Sequence, residues 1–121
     1  MLKLEELSAY RLSKKCANEI WSKVLTWDVL AKKTIGEQLI RSFDSIGANI
    51  SEGFGRFHKK DKVKFYYNAR ASVYESAYWI NLAFERKLID QGLKTEWLSV
   101  LRKLPKEINT LIKLTISNLK Q

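Results

Sequence analysis

SIGANISEGFGR, residues 45–56, sets Gly47, Gly53 and Gly55 into a stretch that otherwise reads as helix. Glycine-rich runs often cradle phosphates, and such loops follow a strand and open a helix. The flanking residues decide against that here. Leu39, Phe43, Ile46, Ile50, Phe54 and Phe57 recur at steps of four, three, four, four and three without a break, which is the period of one helix face. No Gly-Lys-Ser/Thr follows the glycines, so the Walker pattern is absent. At about 100° per residue, Ile46, Ile50 and Phe54 share one arc, and Gly47, Ser51 and Gly55 line the adjoining edge. Arg41, Ser45, Asn49, Glu52 and Arg56 fall on the remaining arc. Each interior glycine costs about 0.8–1 kcal/mol relative to alanine. A ridge of small residues that admits a neighbouring helix would offset that cost.

The same periodicity divides the rest of the chain. A first helix over about 4–26 carries Leu7, Tyr10, Ala17, Trp21 and Val24 on one face. Asp28 offers a side-chain oxygen to cap the second. A third, over about 60–90, carries Val63, Tyr66, Val73, Ala77, Ile80, Phe84 and Leu88. Asp90-Gln91-Gly92 is a turn signal, with Gly92 free to take positive φ. The fourth, over about 94–120, carries Trp97, Leu101, Leu104, Ile108, Leu111, Thr115 and Leu119. Pro105 lies inside it and predicts a kink between Leu101 and Pro105, or two shorter helices meeting there. Short connections favour antiparallel neighbours. The expectation is one all-α domain over residues 1–121, an up-down four-helix bundle with a kinked fourth helix.

Composition bounds the function. The 121 residues are 45% hydrophobic and 29% charged, with 5 glycines and 1 proline, which fits a folded helical chain rather than a turn-rich β fold. The 22 Lys+Arg against 13 Asp+Glu give a formal charge of +9, which draws a small protein to polyanions. Cys16 and His58 are the only residues of their kinds, so no disulfide framework or metal cluster is written here, and no cofactor is expected. His58 has no evident carboxylate to orient it, Cys16 falls on a helix edge, and Glu37 and Glu52 lack a Glu-x-x-His partner. No catalytic constellation is complete, and the chain reads as non-enzymatic. The N-terminus lacks the apolar core of a signal peptide, and no apolar run approaches a membrane span, so a cytosolic protein without membrane contact is expected.

Two features of the third helix stand out. Arg70 interrupts the apolar stripe between Tyr66, Val73 and Ala77. An unpaired buried charge is costly, so a carboxylate partner is expected, with Glu37, Glu52 and Glu75 as candidates. Phe65, Trp79 and Ala83 lie away from the stripe, and Tyr67 and Tyr78 flank it. A helix apolar nearly all round is buried on more than one side. Phe65, Tyr78 and Trp79 therefore predict a surface for self-association.

Basic residues cluster twice. GRFHKKDKVK, residues 55–64, gathers Arg56, Lys59, Lys60, Lys62 and Lys64 at the turn between helices two and three. Arg102, Lys106, Lys113 and Lys120 fall along one arc of helix four, away from its apolar stripe. Such side chains would contact phosphates without reading sequence. The competing expectation is a structural or protein-interaction oligomer that grips no nucleic acid.

IGEQLIRSFDSIGANISEGFGR (35–56) and KKDKVKFYYNARASVYESAYW (59–79) resemble the four-helix bundle proteins of the 23S ribosomal-RNA intervening-sequence family. The resemblance covers most of the chain. It centres on Ser45-Ile46, Asn49-Ile50, Glu52-Gly53, Gly55-Arg56, Ala69-Arg70, Ser72 and Glu75. It departs at Ala71, where the family usually has glycine; if that glycine serves close helix contact, packing here must open by about a methyl group. The family consists of small bacterial proteins, some encoded in insertions within large-subunit rRNA genes. The resemblance implies a ring-like homopentamer with a basic surface and no known enzymatic activity. It turns Asn49 and Glu52 toward a neighbouring subunit and favours RNA over DNA as partner. A more distant likeness of fold, to the accessory protein of diversity-generating retroelements, implies a role beside a reverse transcriptase and its RNA.

Overall fold

The structure, a computed structural model, describes residues 2–119. Among them are four long helices and no strand. A 3₁₀ turn, Leu4–Glu6, leads into α1 (Ser8–Val24). The second helix is entered through Val29–Ala31, widens to π-helical geometry over Lys32–Gly36 and continues as α2 (Glu37–Gly55). After a short connection come α3 (Lys59–Glu85) and α4 (Gln91–Leu119). The helices close a ring of contacts: α1 on α2, α2 on α3, α3 on α4, and α4 back on α1. This is a helical bundle.

The caps explain where the helices begin and end. Asp28 Oδ1 accepts from the Ala31 N–H at 3.0 Å, as expected from sequence. At the other corner the expectation fails. Gly92 does not take positive φ; it lies in the first turn of α4, whose entry is capped by Asp90 Oδ1 accepting from Leu93 N–H at 2.8 Å. The left-handed residue is Lys87, φ 62°, at the end of α3. There the Leu88 N–H reaches Ala83 O and the Lys87 N–H reaches Phe84 O, closing the helix with two crossed bonds. α4 runs as one helix through Pro105, so two shorter helices do not meet there.

The glycine stretch is helix through Gly55; Arg56 turns out into extended backbone. Ile46 and Ile50 are fully buried with Leu39 and Phe43, while Phe54 is half-buried. Each such large apolar side chain contributes about 1.5–3 kcal/mol on burial. Phe57 departs from the expected stripe: it is past the helix end and 89% exposed. The small-residue ridge also needs correcting. A Cβ on Gly47 would stand in ordinary contact with Ser13 Oγ of α1, at 3.4 Å, but one on Gly55 would meet nothing within 4 Å. The close approach is at Gly53, where a Cβ would stand 2.8 Å from the Tyr66 ring and 3.1 Å from Lys62 O of α3. α2 and α3 thus touch nearly backbone to backbone. Further along the same contact Ser76 donates to Ser42 Oγ at 3.0 Å in the core, and Ser72 donates to Ser45 Oγ at 3.0 Å.

α3 is apolar on several sides because α2 and α4 both pack on it. Ala83 is fully buried, Trp79 is half-buried against the core, and Phe65 is half-buried with the Arg56 guanidinium over its ring. Ala71 is exposed, so no helix of this chain packs where the missing glycine would have mattered. On α1 the buried side is Ala9, Ser13, Cys16, Ala17, Ile20 and Val24. Trp21, assigned to that face from its spacing, is instead 53% exposed.

Candidate nucleic-acid interface

The basic turn between α2 and α3 is partly committed to the fold. Lys62 donates to Phe54 O at 2.7 Å and Gly53 O at 3.3 Å, satisfying carbonyls at the end of α2 where the helix dipole is negative. Burial lowers its ammonium below the ordinary lysine range. Arg56 pairs with Glu52 at 3.0 Å and lays its guanidinium over the Phe65 ring, 4.7 Å from the centroid. Lys59 is half-buried and also engaged within the chain. Lys60 and Lys64 are exposed. The sequence places five phosphate-seeking cations here, and the structure leaves Lys60 and Lys64 clear of the fold's own contacts. Lys62→Met should accordingly destabilise the chain by about 1–2 kcal/mol, read as a lower urea midpoint. If its only role were outside the fold, the midpoint would not move.

Arg70 is not held by a carboxylate. Its Nη1 donates to Asn109 Oδ1 of α4 at 2.7 Å, and its guanidinium lies 4.7 Å from the Tyr67 ring centroid. The expected partners are engaged elsewhere: Glu52 with Arg56, and Glu75 as acceptor from Trp79 Nε1 at 3.2 Å. Glu37 lies 4.0 Å from Arg41. Arg70 is half-buried rather than enclosed, so an amide oxygen and an aromatic face suffice. No signal along the chain marks Asn109, which is 39 residues away.

On α4, Arg102, Lys106 and Lys113 are exposed, and Lys120 lies outside the described residues. Among the described residues the ion pairs join Arg41 to Glu37 and Arg56 to Glu52. Lys60, Lys64, Arg102, Lys106 and Lys113 therefore face solvent with no carboxylate partner among those residues. Asn109 separates Lys106 from Lys113, so the contact with Arg70 places these lysines beside α3.

Of the residues expected at an oligomer interface, Glu52 and Tyr78 are exposed and Asn49 is half-buried. Asn49 Nδ2 donates to Ser45 O at 2.8 Å and to Ser45 Oγ at 2.9 Å. Phe65 and Trp79 are half-buried, and only Tyr78 of the three aromatics is exposed. The exposed aromatics of α3 are Tyr67, Tyr74 and Tyr78. Their spacing of seven and four marks a second stripe, which a reading that follows only the buried face misses at Tyr74.

The two residues weighed as nucleophiles lie in different surroundings. His58 is exposed and lies edge-on to Phe57 at 5.2 Å. Cys16 is buried, and desolvation, with smaller effects from Glu19 and Glu96, pushes its thiol from 9.0 to about 12. The unfolded chain then loses this proton near pH 9 while the native chain keeps it. Stability from this group is whole below about pH 9 and falls by about 1.4 kcal/mol per pH unit above it, up to the native value. Cys16→Ala should flatten the fall in urea midpoint between about pH 9 and pH 11; an unchanged slope would refute this. Among the described residues no three His, Cys, Asp or Glu stand together as a metal site, and no helix is long and apolar enough to cross a membrane.

Comparison with known proteins follows the same lines. No curated protein matches the sequence. The fold is similar to the crystal structure of a protein of unknown function from the S23 ribosomal protein family of Bacteroides thetaiotaomicron VPI-5482. The TM-score is 0.77 at 21% identity, over 87% of this chain and 98% of that one. The model of the 23S rRNA-intervening sequence protein family matches residues 5–110. With that match covering most of the chain, from the turn before α1 into α4, the chain belongs to the 23S rRNA-intervening sequence protein family.

Proposed function

We propose that this protein is a non-enzymatic, basic, self-associating bundle that binds nucleic acid, RNA in preference to DNA, without strong sequence readout. One observation carries the reading: α3 and α4 carry exposed cations, Lys60, Lys64, Arg102, Lys106 and Lys113 among them, that have no carboxylate partner among the described residues. A surface with that surplus attracts phosphates and releases their counterions on binding. The preference for RNA rests on the family, whose name refers to 23S rRNA. A role as accessory to an rRNA element or a reverse transcriptase belongs to the same reading.

The up-down order of the bundle is supported by its contacts. Gly53 lies against Lys62 and Tyr66, Ser45 against Ser72, and Ser42 against Ser76, so numbers fall on α2 as they rise on α3.

A titration of labelled RNA at low and moderate salt tests the reading. Binding should weaken with salt by about 0.7 log units per log unit of salt for each phosphate contacted on a single strand. No binding in either condition would remove it. The second reading, a protein-interaction oligomer without nucleic acid, is favoured by a different observation. Trp21, Leu25, Val29 and Leu30 are all exposed near the junction of α1 and α2. Such a patch suits self-association, and the family resemblance points to a pentamer. Light scattering decides that part: a mass of 14.1 kDa at micromolar concentration would exclude it.

A further inference from the structure

Between α3 and α4 lies an open groove of about 350 Å³. Its floor is apolar, made by Val73, Ala77, Leu101 and Pro105, and its rim carries Tyr74 and Arg102. Tyr74 is 64% exposed, so its ring has a free face. Tyr67, two turns before Tyr74, already carries the Arg70 guanidinium, which Asn109 fixes from across the interface. At 1.5 Å rise per residue, Tyr67 and Tyr74 stand about 10 Å apart along α3, and Lys106 and Lys113 about 10 Å apart along α4. Of these, Tyr74 and Arg102 line the groove itself, and Tyr67, Lys106 and Lys113 continue along the same two helices beyond its lining.

We propose that this groove seats an unpaired base of a single-stranded nucleic acid, stacked on Tyr74, while Arg102, Lys106 and Lys113 hold the adjoining phosphates. The inference deepens the nucleic-acid reading and rests on it. Cationic grooves lined with aromatic rings are how proteins grip single strands without reading sequence, because every base has a π-face. A duplex hides those faces within its own stack and presents only base edges and backbone. The charge argues against a second copy of this chain as occupant, since its own cations would meet these. An apolar segment of another protein would leave Arg102, Lys106 and Lys113 without counter-charge.

The test is fluorescence anisotropy with three probes: a labelled oligouridine, the same strand annealed to oligoadenosine, and an abasic strand of equal length. Tyr74→Ala should weaken oligouridine binding about tenfold, and Tyr74→Phe should preserve it. The abasic strand should bind the unaltered protein about tenfold more weakly than oligouridine and be indifferent to Tyr74→Ala. Equal affinity for all three probes, or no effect of Tyr74→Ala on oligouridine, would leave the nucleic-acid reading standing and overturn the base-seating groove. A change of oligomer mass in Tyr74→Ala would also overturn it, by showing the groove to be a protein interface. No binding of any probe would remove both readings. Because the Tyr74 side chain is largely exposed, circular dichroism should show both variants folded.

Discussion

Gly53→Val should lower the unfolding free energy by about 3 kcal/mol, while Gly55→Ala, two residues on, should raise it by about 0.5 kcal/mol. Both sit in the same glycine-rich helix, so propensity alone would favour both changes. The difference lies in what each new atom meets. At Gly53 a Cβ stands 2.8 and 2.9 Å from two carbons of Tyr66 and 3.1 Å from the backbone oxygen of Lys62. Tyr66 is buried and a helix backbone cannot yield locally, so relief requires α2 and α3 to separate. Separation would also stretch the 3.0 Å bonds from Ser76 to Ser42 and from Ser72 to Ser45. For a domain whose whole stability is about 5–15 kcal/mol, that is a large share. At Gly55 nothing lies within 4 Å, and only the entropic advantage of alanine remains. Urea unfolding of the two variants reads both signs. A Gly53→Val midpoint equal to that of the unaltered protein would show that the interface yields without cost.

The second large effect is on binding. Reversing Lys60, Lys64, Lys106 and Lys113 to glutamate should reduce RNA affinity at low salt by about two to three orders of magnitude. It should also make the salt slope shallower by about 0.7 for each phosphate the variant no longer engages. These four side chains are exposed, so the variant should keep its helicity and oligomer mass. Lys62 is excluded because it closes α2; reversing it would confound loss of binding with loss of fold. Reversing Lys14, Lys15 and Lys33, exposed on α1 and in the entry to α2, serves as the control and should leave most of the affinity intact. If the control variant loses binding as severely, bulk charge rather than this face is responsible.

The core is largely legible in the sequence. Leu39, Phe43, Ile46 and Ile50 lie where their period puts them, because a buried helix face must repeat every three to four residues. Asp28 is legible as a cap for the same local reason. The departures have local causes as well. Trp21 and Phe57 satisfy the period of their helices, but periodicity cannot say where a stripe runs past its partner or a helix stops. The stripe position of Arg70 implies full burial and hence a carboxylate; at the edge of the bundle an amide and a tyrosine face are enough. In the basic turn, charge is visible but commitment is not: Lys62 and Lys64 look alike in sequence, yet one caps α2 and the other faces water.

What the sequence determined by itself is therefore one-dimensional. Apolar period made SIGANISEGFG helix, and total charge made the chain a candidate partner for polyanions. Tertiary structure alone decided which glycine admits a helix, which cations remain available, and that Tyr74 and Arg102 rim one groove. The physical reason is the same in each case. Period and charge are properties of a residue and its near neighbours along the chain, whereas clearance, pairing and exposure depend on atoms brought in from another helix.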